Sequence, residues 1–295
     1  MPDDFTILIN PNSANAGRTI RFFSQRNRKF QLCRTRPELE RCMHASTRQG
    51  KYEFIVCGGD GTVNMFIDSF MSLRPVEQAR IRLAVLPCGK ANDLARELNI
   101  PGKPGEAYRA FQSHRIKKVD IIQVNGSYFI TGGGLGLPAD VIADLGVSTA
   151  NRMLRTLFGD RQYLLVVLKK ILFGYAVLHD VYINSDHHPG NYMLLCVQNQ
   201  SFIGKRFQLC PGAKHDDGFM DVCLLPKTAV PKDLITLRNV LRGRHLEMPG
   251  TIYYRKRTLT ITTPEKTSFM ADGELLEHAS EFKLRVLPRA ITVLY

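Results

Sequence analysis

The segment that most constrains this chain is the pentapeptide Gly-Gly-Asp-Gly-Thr at residues 58–62. It directly follows the apolar run 54–57 and precedes the run 63–67, a pattern typical of a strand, a tight turn and a helix. Because glycine has no Cβ, such a turn can bring backbone N–H groups against an anion such as phosphate. A carboxylate among these glycines repels phosphate unless a metal, a proton or a hydroxyl group lies nearby. Asp60 therefore indicates that this loop takes part in catalysis as well as in phosphate binding.

The first hundred residues alternate short apolar runs with helical patterns. The predicted strands are 5–9, 30–33, 53–57 and 82–86, and the predicted helices are 18–29, 37–48, 62–72, 91–98 and 104–113. This alternation predicts a parallel sheet covered by helices, with ligands at the carboxyl ends of the strands. We therefore expect the loops 11–13, 58–61 and 87–90 to open on one edge.

After residue 117 the pattern changes to β-branched and aromatic runs bounded by turn residues. The predicted strands are 118–124, 127–130, 179–183, 192–198, 220–224, 251–254, 258–262, 283–287 and 290–294. Asn125-Gly126 is a strong hairpin signal between two of them. These runs predict a mainly antiparallel β domain, interrupted by helices near 138–146 and 151–176. The last strand could return to either domain.

Composition limits the function classes. A chain of 295 residues with 44% apolar residues can form one large domain or two ordinary ones, and two is favoured. The net charge of +13 favours polyanionic partners: nucleic acid, anionic lipid or polyphosphate. The basic residues lack interleaved aromatics, so we expect no nucleic-acid partner. Seven scattered cysteines without a C-x-x-C pair favour reduced cytoplasmic thiols. The sequence predicts neither a signal peptide nor a membrane-spanning helix.

Other carboxylates stand in turn-rich segments. Asp93 lies at the head of a predicted helix, where an acid also complements the helix dipole. Asp272-Gly273-Glu274 lies in a predicted hairpin, and a polar turn explains it equally. Asp216, Asp217 and Asp221 surround a glycine and could bind a hard cation, although an acidic turn is the commoner outcome.

Together these segments resemble the diacylglycerol kinase catalytic-domain family, which includes soluble bacterial diacylglycerol kinases, YegS-like lipid kinases, and sphingosine and ceramide kinases. The similarity covers almost the entire chain. The matching segments are Asn10-Pro11-Asn12-Ser13, residues 58–64, residues 87–96 with Gly89, Ala91, Asn92, Asp93, Ala95 and Arg96, Asp216-Asp217-Gly218, and Asp272-Gly273-Glu274. NAD kinases and phosphofructokinases carry similar glycine loops, but the two downstream acidic segments favour the lipid-kinase branch.

The resemblance implies an α/β ATP-binding domain at 1–117, which the final strand 290–295 rejoins, and a β-sandwich at 118–289. It implies transfer of phosphate from ATP to a lipid hydroxyl group with Mg²⁺. The residues it assigns to ATP are Asn10, Pro11, Asn12, Ser13, Thr35, Gly58, Gly59, Asp60, Gly61, Thr62, Asn64, Lys90 and Asn92. It assigns Mg²⁺ to Asp217 with the carbonyl groups of Lys214 and Phe219. Glu274 is the expected general base, and Asp60 and Asp93 complete the catalytic carboxylates.

Two residues depart from the family pattern. Lys90 stands where a threonine is usual, and Met65 stands where an acid is usual. Neither removes a candidate carboxylate, so an active enzyme is favoured over a catalytically silent binding protein. A kinase of a soluble acceptor, as in NAD kinases, is the other alternative.

The expected partners are ATP and a lipid at an anionic membrane surface. We expect a cytoplasmic protein with peripheral membrane association, and a homodimer is compatible with the sequence. The basic and apolar region 152–176 could lie on a bilayer, or it could pack against the β domain.

Overall fold

The computed structural model describes residues 5–147, 162–204 and 206–295. The chain divides into two compact units. The N-terminal unit extends to Ile121 and includes Pro288–Tyr295, and the C-terminal unit is Ile122–Leu287. The sequence placed the corresponding boundaries after residues 117 and 289.

The N-terminal unit contains a parallel sheet whose central strands are buried on both faces. Its strands are β1 (Thr6–Ile9), β2 (Gln31–Leu32), β3 (Glu53–Gly58), β4 (Arg82–Pro87) and the end of β13 (Glu274–Leu294). They pair in parallel in the order β2, β1, β3, β4, β13. Residues 54–57 and 83–86 are buried throughout, as expected for strands covered by helices on both sides.

Six helices are described in this unit. They are α1 (Ala16–Ser24), α2 (Arg36–Arg48), α3 (Asp60–Met71), α4 (Pro75–Gln78), α5 (Asp93–Glu97) and α6 (Pro104–Gln112). The predicted helix 18–29 is wrong at its end, because α1 stops at Ser24. Asn27 adopts a left-handed conformation with φ of 52°, and the N–H of Arg28 donates to the carbonyl of Phe23, which closes the helix.

The described strand pairs that lie wholly within the C-terminal unit are antiparallel. The strands are β5 (Ile116–Val124), β6 (Ser127–Phe129), β7 (Gly132–Gly136), β8 (Leu178–Ile183), β9 (Asp186–Gln198), β10 (Met220–Pro226), β11 (Ile252–Lys256), β12 (Thr258–Ala271) and the first part of β13. The predicted Asn125-Gly126 hairpin is confirmed, since Val124 pairs with Ser127 across the turn.

Successive residues of β9 serve two different cores. Leu195 and Val197 join the core between the strands, whereas Leu194 and Cys196 face a second core formed with helices. Those helices are α7 (Leu137–Val147), α8 (Gln162–Phe173) and α9 (Val230–Val240), followed by a 3-10 turn at His245–Glu247. This alternation is the period of two that a strand imposes.

Helix α9 was not predicted from the sequence. Asp233 in its first turn accepts hydrogen bonds from the N–H and hydroxyl of Thr228, at 2.9 and 2.7 Å, and from Lys227 Nζ at 2.6 Å. The hydroxyl of Tyr175 donates to the same carboxylate at 2.9 Å. Burial opposes ionisation of Asp233, but these donors outweigh it and lower its pKa. The carboxylate thus fixes the start of the helix.

The predicted helical region 151–176 is described in part. Residues 151–161 lie outside the described residues, and α8 covers 162–173. In the part of the chain that the structure covers, no helix is long and apolar enough to cross a bilayer.

Candidate active site

Three loops meet at the carboxyl edge of the parallel sheet, as predicted. The N–H of Asn10 donates to the carbonyl of Cys57 at 3.0 Å, which ties the first loop to β3. The N–H of Cys88 donates to Gly58 at 2.8 Å, and that of Asn15 donates to Cys88 at 3.0 Å. The loops after β1, β3 and β4 therefore form one connected backbone surface.

Two glycines allow the second and third loops to touch. A Cβ added to Gly89 would lie 2.4 Å from the Cα of Gly59, and one added to Gly59 would lie 3.0 Å from the Cα of Gly89. Both neighbouring atoms belong to the backbone, so neither can rotate away. The glycines at these positions are required by close backbone approach.

Asp60 joins these two loops through its carboxylate. Its Oδ2 accepts the N–H of Asn92 at 2.8 Å, and its Oδ1 accepts the N–H of Asp93 at 2.6 Å. Asn92 has left-handed backbone angles at the start of α5, and its side chain closes back on Gly89 through bonds of 2.8 and 3.0 Å. The acid between the glycines thus binds two backbone N–H groups. This role of Asp60 was not predicted from the sequence.

The first loop contributes a polar contact to the same surface. Asn10 Nδ2 donates to Thr62 Oγ1 at 3.0 Å, and Asn10 Oδ1 accepts the N–H of Asn12 at 3.0 Å. Helix α3 begins at Asp60, two residues earlier than predicted, so the whole glycine loop leads into its first turn. A helix start offers unpaired N–H groups and positive dipole charge to an anion.

The other residues assigned to ATP lie around this edge. Thr35 is exposed at the start of α2, two residues after Cys33, whose N–H donates to the last carbonyl of β1. Asn64 is buried in α3, and Lys90 is exposed in the third loop. Met65 is half-buried beside them.

In the C-terminal unit, Asp272 and Gly273 form the two-residue turn between β12 and β13. Both have positive φ, 47° and 82°, and Ala271 pairs with Glu274 across the turn, as in a type I′ hairpin. Glu274, the expected base, is exposed at the start of β13.

The carboxylate of Asp272 fixes this hairpin to a distant segment. It accepts the N–H of Ile130 and of Thr131, both at 2.9 Å, that of Gly132 at 3.3 Å, and the hydroxyl of Thr131. Asp272 is 6% exposed. Asp272 was not among the predicted site residues, although the Asp-Gly turn beside Glu274 was a usable signal for a positioning residue.

The expected metal residues lie in the turn before β10. Asp217 accepts the N–H of Phe219 at 3.0 Å and forms an ion pair with Arg255, whose guanidinium lies 4.6 Å from the Phe219 ring centre. Lys214 is exposed. The expected ligand atoms are all oxygens, a donor set that would suit Mg²⁺ held by one carboxylate and completed by phosphate and water. Among the described residues, no group of three or more histidine, cysteine or acidic side chains has metal-binding geometry.

A further acid lies deeper in the same sheet. Asp221 is 1% exposed and accepts a hydrogen bond from the Tyr253 hydroxyl through Oδ1. Its Oδ2 has no partner among the described residues, and neither do the two side-chain polar atoms of Gln198, which pairs with Asp221 across β9 and β10. Burial raises the pKa of Asp221.

Comparison with known families decides the membership of the chain. Residues 4–124 match the diacylglycerol kinase catalytic domain, and residues 141–295 match the YegS C-terminal NAD kinase beta sandwich-like domain. The chain belongs to the diacylglycerol kinase and YegS-like lipid kinase family. The second matched segment agrees with the predicted C-terminal β-sandwich.

Individual relatives extend over most of the chain. A diacylglycerol kinase of Bacillus subtilis (strain 168) is 28% identical over 235 residues, covering 78% of this chain and 75% of the relative. A protein of Yersinia pestis (strain Pestoides F) named "Probable lipid kinase YegS-like" is 30% identical over 241 residues, covering 80% and 76%.

A solved structure supports the same fold. The crystal structure of a diacylglycerol kinase from Bacillus anthracis str. Sterne aligns with a TM-score of 0.72 at 19% identity, covering all of this chain and 98% of the other. At 19% identity, this similarity shows only that the two chains share a fold.

Proposed function

We propose that this family member is a lipid kinase that transfers the γ-phosphate of ATP to a hydroxyl group of a lipid such as diacylglycerol. The observation that carries the proposal is the connected loop edge, where Asp60 holds the backbone of Asn92 and Asp93 and two glycines touch. Phosphoryl transfer requires mainly positioning and charge stabilisation, which such a surface can supply. Family membership supports the same reaction class.

In this proposal the three loops bind the nucleotide. The glycine N–H groups and the start of α3 bind phosphate oxygens, with Asn10, Asn12 and Thr62 orienting the loop. The remaining members of the set are Pro11, Ser13, Thr35, Gly58, Gly59, Asp60, Gly61, Asn64, Lys90 and Asn92. Lys90 adds a cation where threonine is usual, which favours phosphate by charge rather than by a hydroxyl hydrogen bond.

The carboxylates take separate roles. Glu274 accepts the proton of the lipid hydroxyl group, and its exposed position leaves it accessible to an acceptor. Asp60, whose two oxygens already accept N–H groups, holds the loop that presents Asp93. Asp93 contributes negative charge to the same network.

We assign Mg²⁺ to Asp217 with the carbonyl groups of Lys214 and Phe219. When bound, the ion neutralises charge on the phosphates. Arg255 pairs with Asp217 in this structure, so it would share or release that carboxylate if Asp217 held the ion.

Transfer of labelled phosphate tests the proposal. The protein is incubated with γ-labelled ATP, Mg²⁺ and either extracted lipid, purified diacylglycerol, sphingosine, ceramide, phosphatidylglycerol or NAD. Label in a lipid is the expected result. Label in NAD alone would replace the lipid acceptor by a soluble one, and ATP binding without transfer to any acceptor would identify a silent homologue.

A further inference from the structure

A strongly charged groove lies between α1 and α6 of the N-terminal unit, and none of its lining residues is among those assigned to ATP. It has a volume of about 560 Å³ and is lined by the basic side chains of Arg18, Arg21, Lys103 and Arg109. The Phe22 ring packs on Gly105 at its floor, where an added Cβ would lie 3.3 Å from the ring. The groove therefore joins an aromatic floor to a rim of cations.

The positive charge of this groove is mostly uncompensated. Its one acidic lining residue, Glu106, binds Lys103 at 2.9 Å. Within the described parts of the chain, Arg18, Arg21 and Arg109 form no ion pair with a carboxylate. The nearby Arg26 stacks 4.0 Å above the Phe22 ring and adds a further cation. The groove thus has a clear preference for anions.

The described lysines of the 152–176 region, which could lie on a bilayer or pack against the β domain, differ from these arginines because they are paired with carboxylates. Lys169 binds Asp144 at 3.2 Å, and Lys170 binds Asp140 at 3.0 Å and Asp144 at 3.5 Å. Carboxylates therefore neutralise these two cations of α8. The arginines of α1 and α6 offer a stronger attraction to an anionic surface than the described part of the 152–176 region.

We propose that the α1–α6 groove docks the protein on an anionic bilayer by binding the phosphate of lipid headgroups. The inference rests on the proposed function, since a lipid acceptor lies in a membrane. Guanidinium groups match phosphate oxygens with two parallel hydrogen bonds, and several separate arginines around one groove suit adjacent headgroups. Each basic side chain near an anionic membrane adds about fivefold to binding.

Vesicle sedimentation without ATP tests the surface independently of phosphate transfer. The protein is mixed with phosphatidylcholine vesicles that contain or lack phosphatidylglycerol. Binding is expected only with phosphatidylglycerol and is expected to weaken with added salt. The double variant Arg21→Gln with Arg109→Gln should bind roughly 25-fold more weakly, because two cations are lost. Both side chains are exposed, so circular dichroism should match the parent protein.

A matched double variant on α9, Lys232→Gln with Arg238→Gln, removes the same charge from exposed positions of the C-terminal unit. It should retain vesicle binding. Equal loss in both double variants would overturn the proposal in favour of diffuse attraction. Displacement from vesicles by inorganic phosphate, at matched ionic strength, would overturn it in favour of a free phosphate site. Tighter binding of duplex DNA through the same arginines would overturn it in favour of nucleic acid.

Discussion

The two units use a motif carboxylate in the same way but place their candidate chemistry differently. Asp60 in the N-terminal unit and Asp272 in the C-terminal unit both accept backbone N–H groups from a distant segment. In the N-terminal unit the bound segment, Asn92 and Asp93, is itself part of the candidate site. In the C-terminal unit the candidate base Glu274 lies exposed beside the turn that Asp272 fixes.

This difference indicates which roles mutation can separate. A change at the N-terminal loops should disturb folding and nucleotide binding together, because the same contacts serve both. In the C-terminal unit the two roles fall on different residues. A change at Glu274 can therefore abolish proton transfer while Asp272 still holds the hairpin in place. Four variants test this contrast.

The largest effect is expected for Glu274→Gln. Glutamine keeps the size of the side chain but cannot accept the proton, so the transfer rate should fall by about 10²- to 10⁴-fold. Nucleotide affinity and the urea unfolding midpoint should remain those of the parent protein. The control Glu281→Gln changes another exposed acid of β13 and should keep full activity. An active Glu274→Gln enzyme would remove Glu274 from the mechanism.

The next effect is expected for Gly89→Ala, which tests the N-terminal loops. The new methyl group would lie 2.4 Å from the Cα of Gly59, so the two loops must separate. We expect the free energy of unfolding to fall by about 2–3 kcal/mol. Nucleotide binding should be lost as well. Gly102→Ala, where a Cβ meets no atom within 4 Å, is the control. Normal ATP affinity in Gly89→Ala would show that loop contact and binding are separable after all.

Asp272→Asn tests the hairpin itself. Asparagine can present an oxygen to only part of the three N–H groups, and its own NH₂ then faces a buried donor. The free energy of unfolding in urea should fall by about 2 kcal/mol. The maximal rate of phosphate transfer should fall, and the KM for ATP should remain unchanged.

An exposed aspartate supplies the comparison for Asp272. Asp180 also accepts one backbone N–H, that of Gly190 at 2.8 Å, but its side chain is exposed. Asp180→Asn should cost less than about 0.5 kcal/mol. Similar losses in the two variants would mean that burial does not determine the role of Asp272.

Much of the parallel sheet could be predicted from local pattern. The runs 54–57 and 83–86 are apolar without alternation because both faces are covered, and parallel strands place their following loops on one edge. The glycine loop, the Asn-Gly hairpin and the order of the two halves follow from short-range signals of this kind.

The contacts that define the candidate site could not be predicted in this way. Asp60 and its amide partners are 32 and 33 residues apart, and Asp272 lies 140–142 residues from its partners. Helix α9 was missed although Asp233, which fixes its start, binds the nearby Lys227 and Thr228; only its bond with Tyr175, 58 residues away, is long-range. Local composition carries no information on which distant amide a carboxylate will meet.

The smallest effect is expected for Asp221→Asn, and its sign is opposite to that of Asp272→Asn. Asp221 is as buried as Asp272, but its Oδ2 meets no donor among the described residues. Burial raises its pKa above the ordinary value of 3.8, so protonated Asp221 stabilises the fold below that pH. This contribution is lost as the pH rises through the folded pKa.

At neutral pH the burial of the Asp221 carboxyl therefore costs stability, and a side chain that does not ionise should remove that cost. Asparagine keeps an oxygen for the Tyr253 hydroxyl and offers an NH₂ group to the neighbouring Gln198. We expect Asp221→Asn to raise the free energy of unfolding by about 1 kcal/mol near neutral pH, measured in urea, with little difference near pH 3. A destabilised variant at neutral pH would mean that the charge of Asp221 is used, and would place it with Asp60 and Asp272.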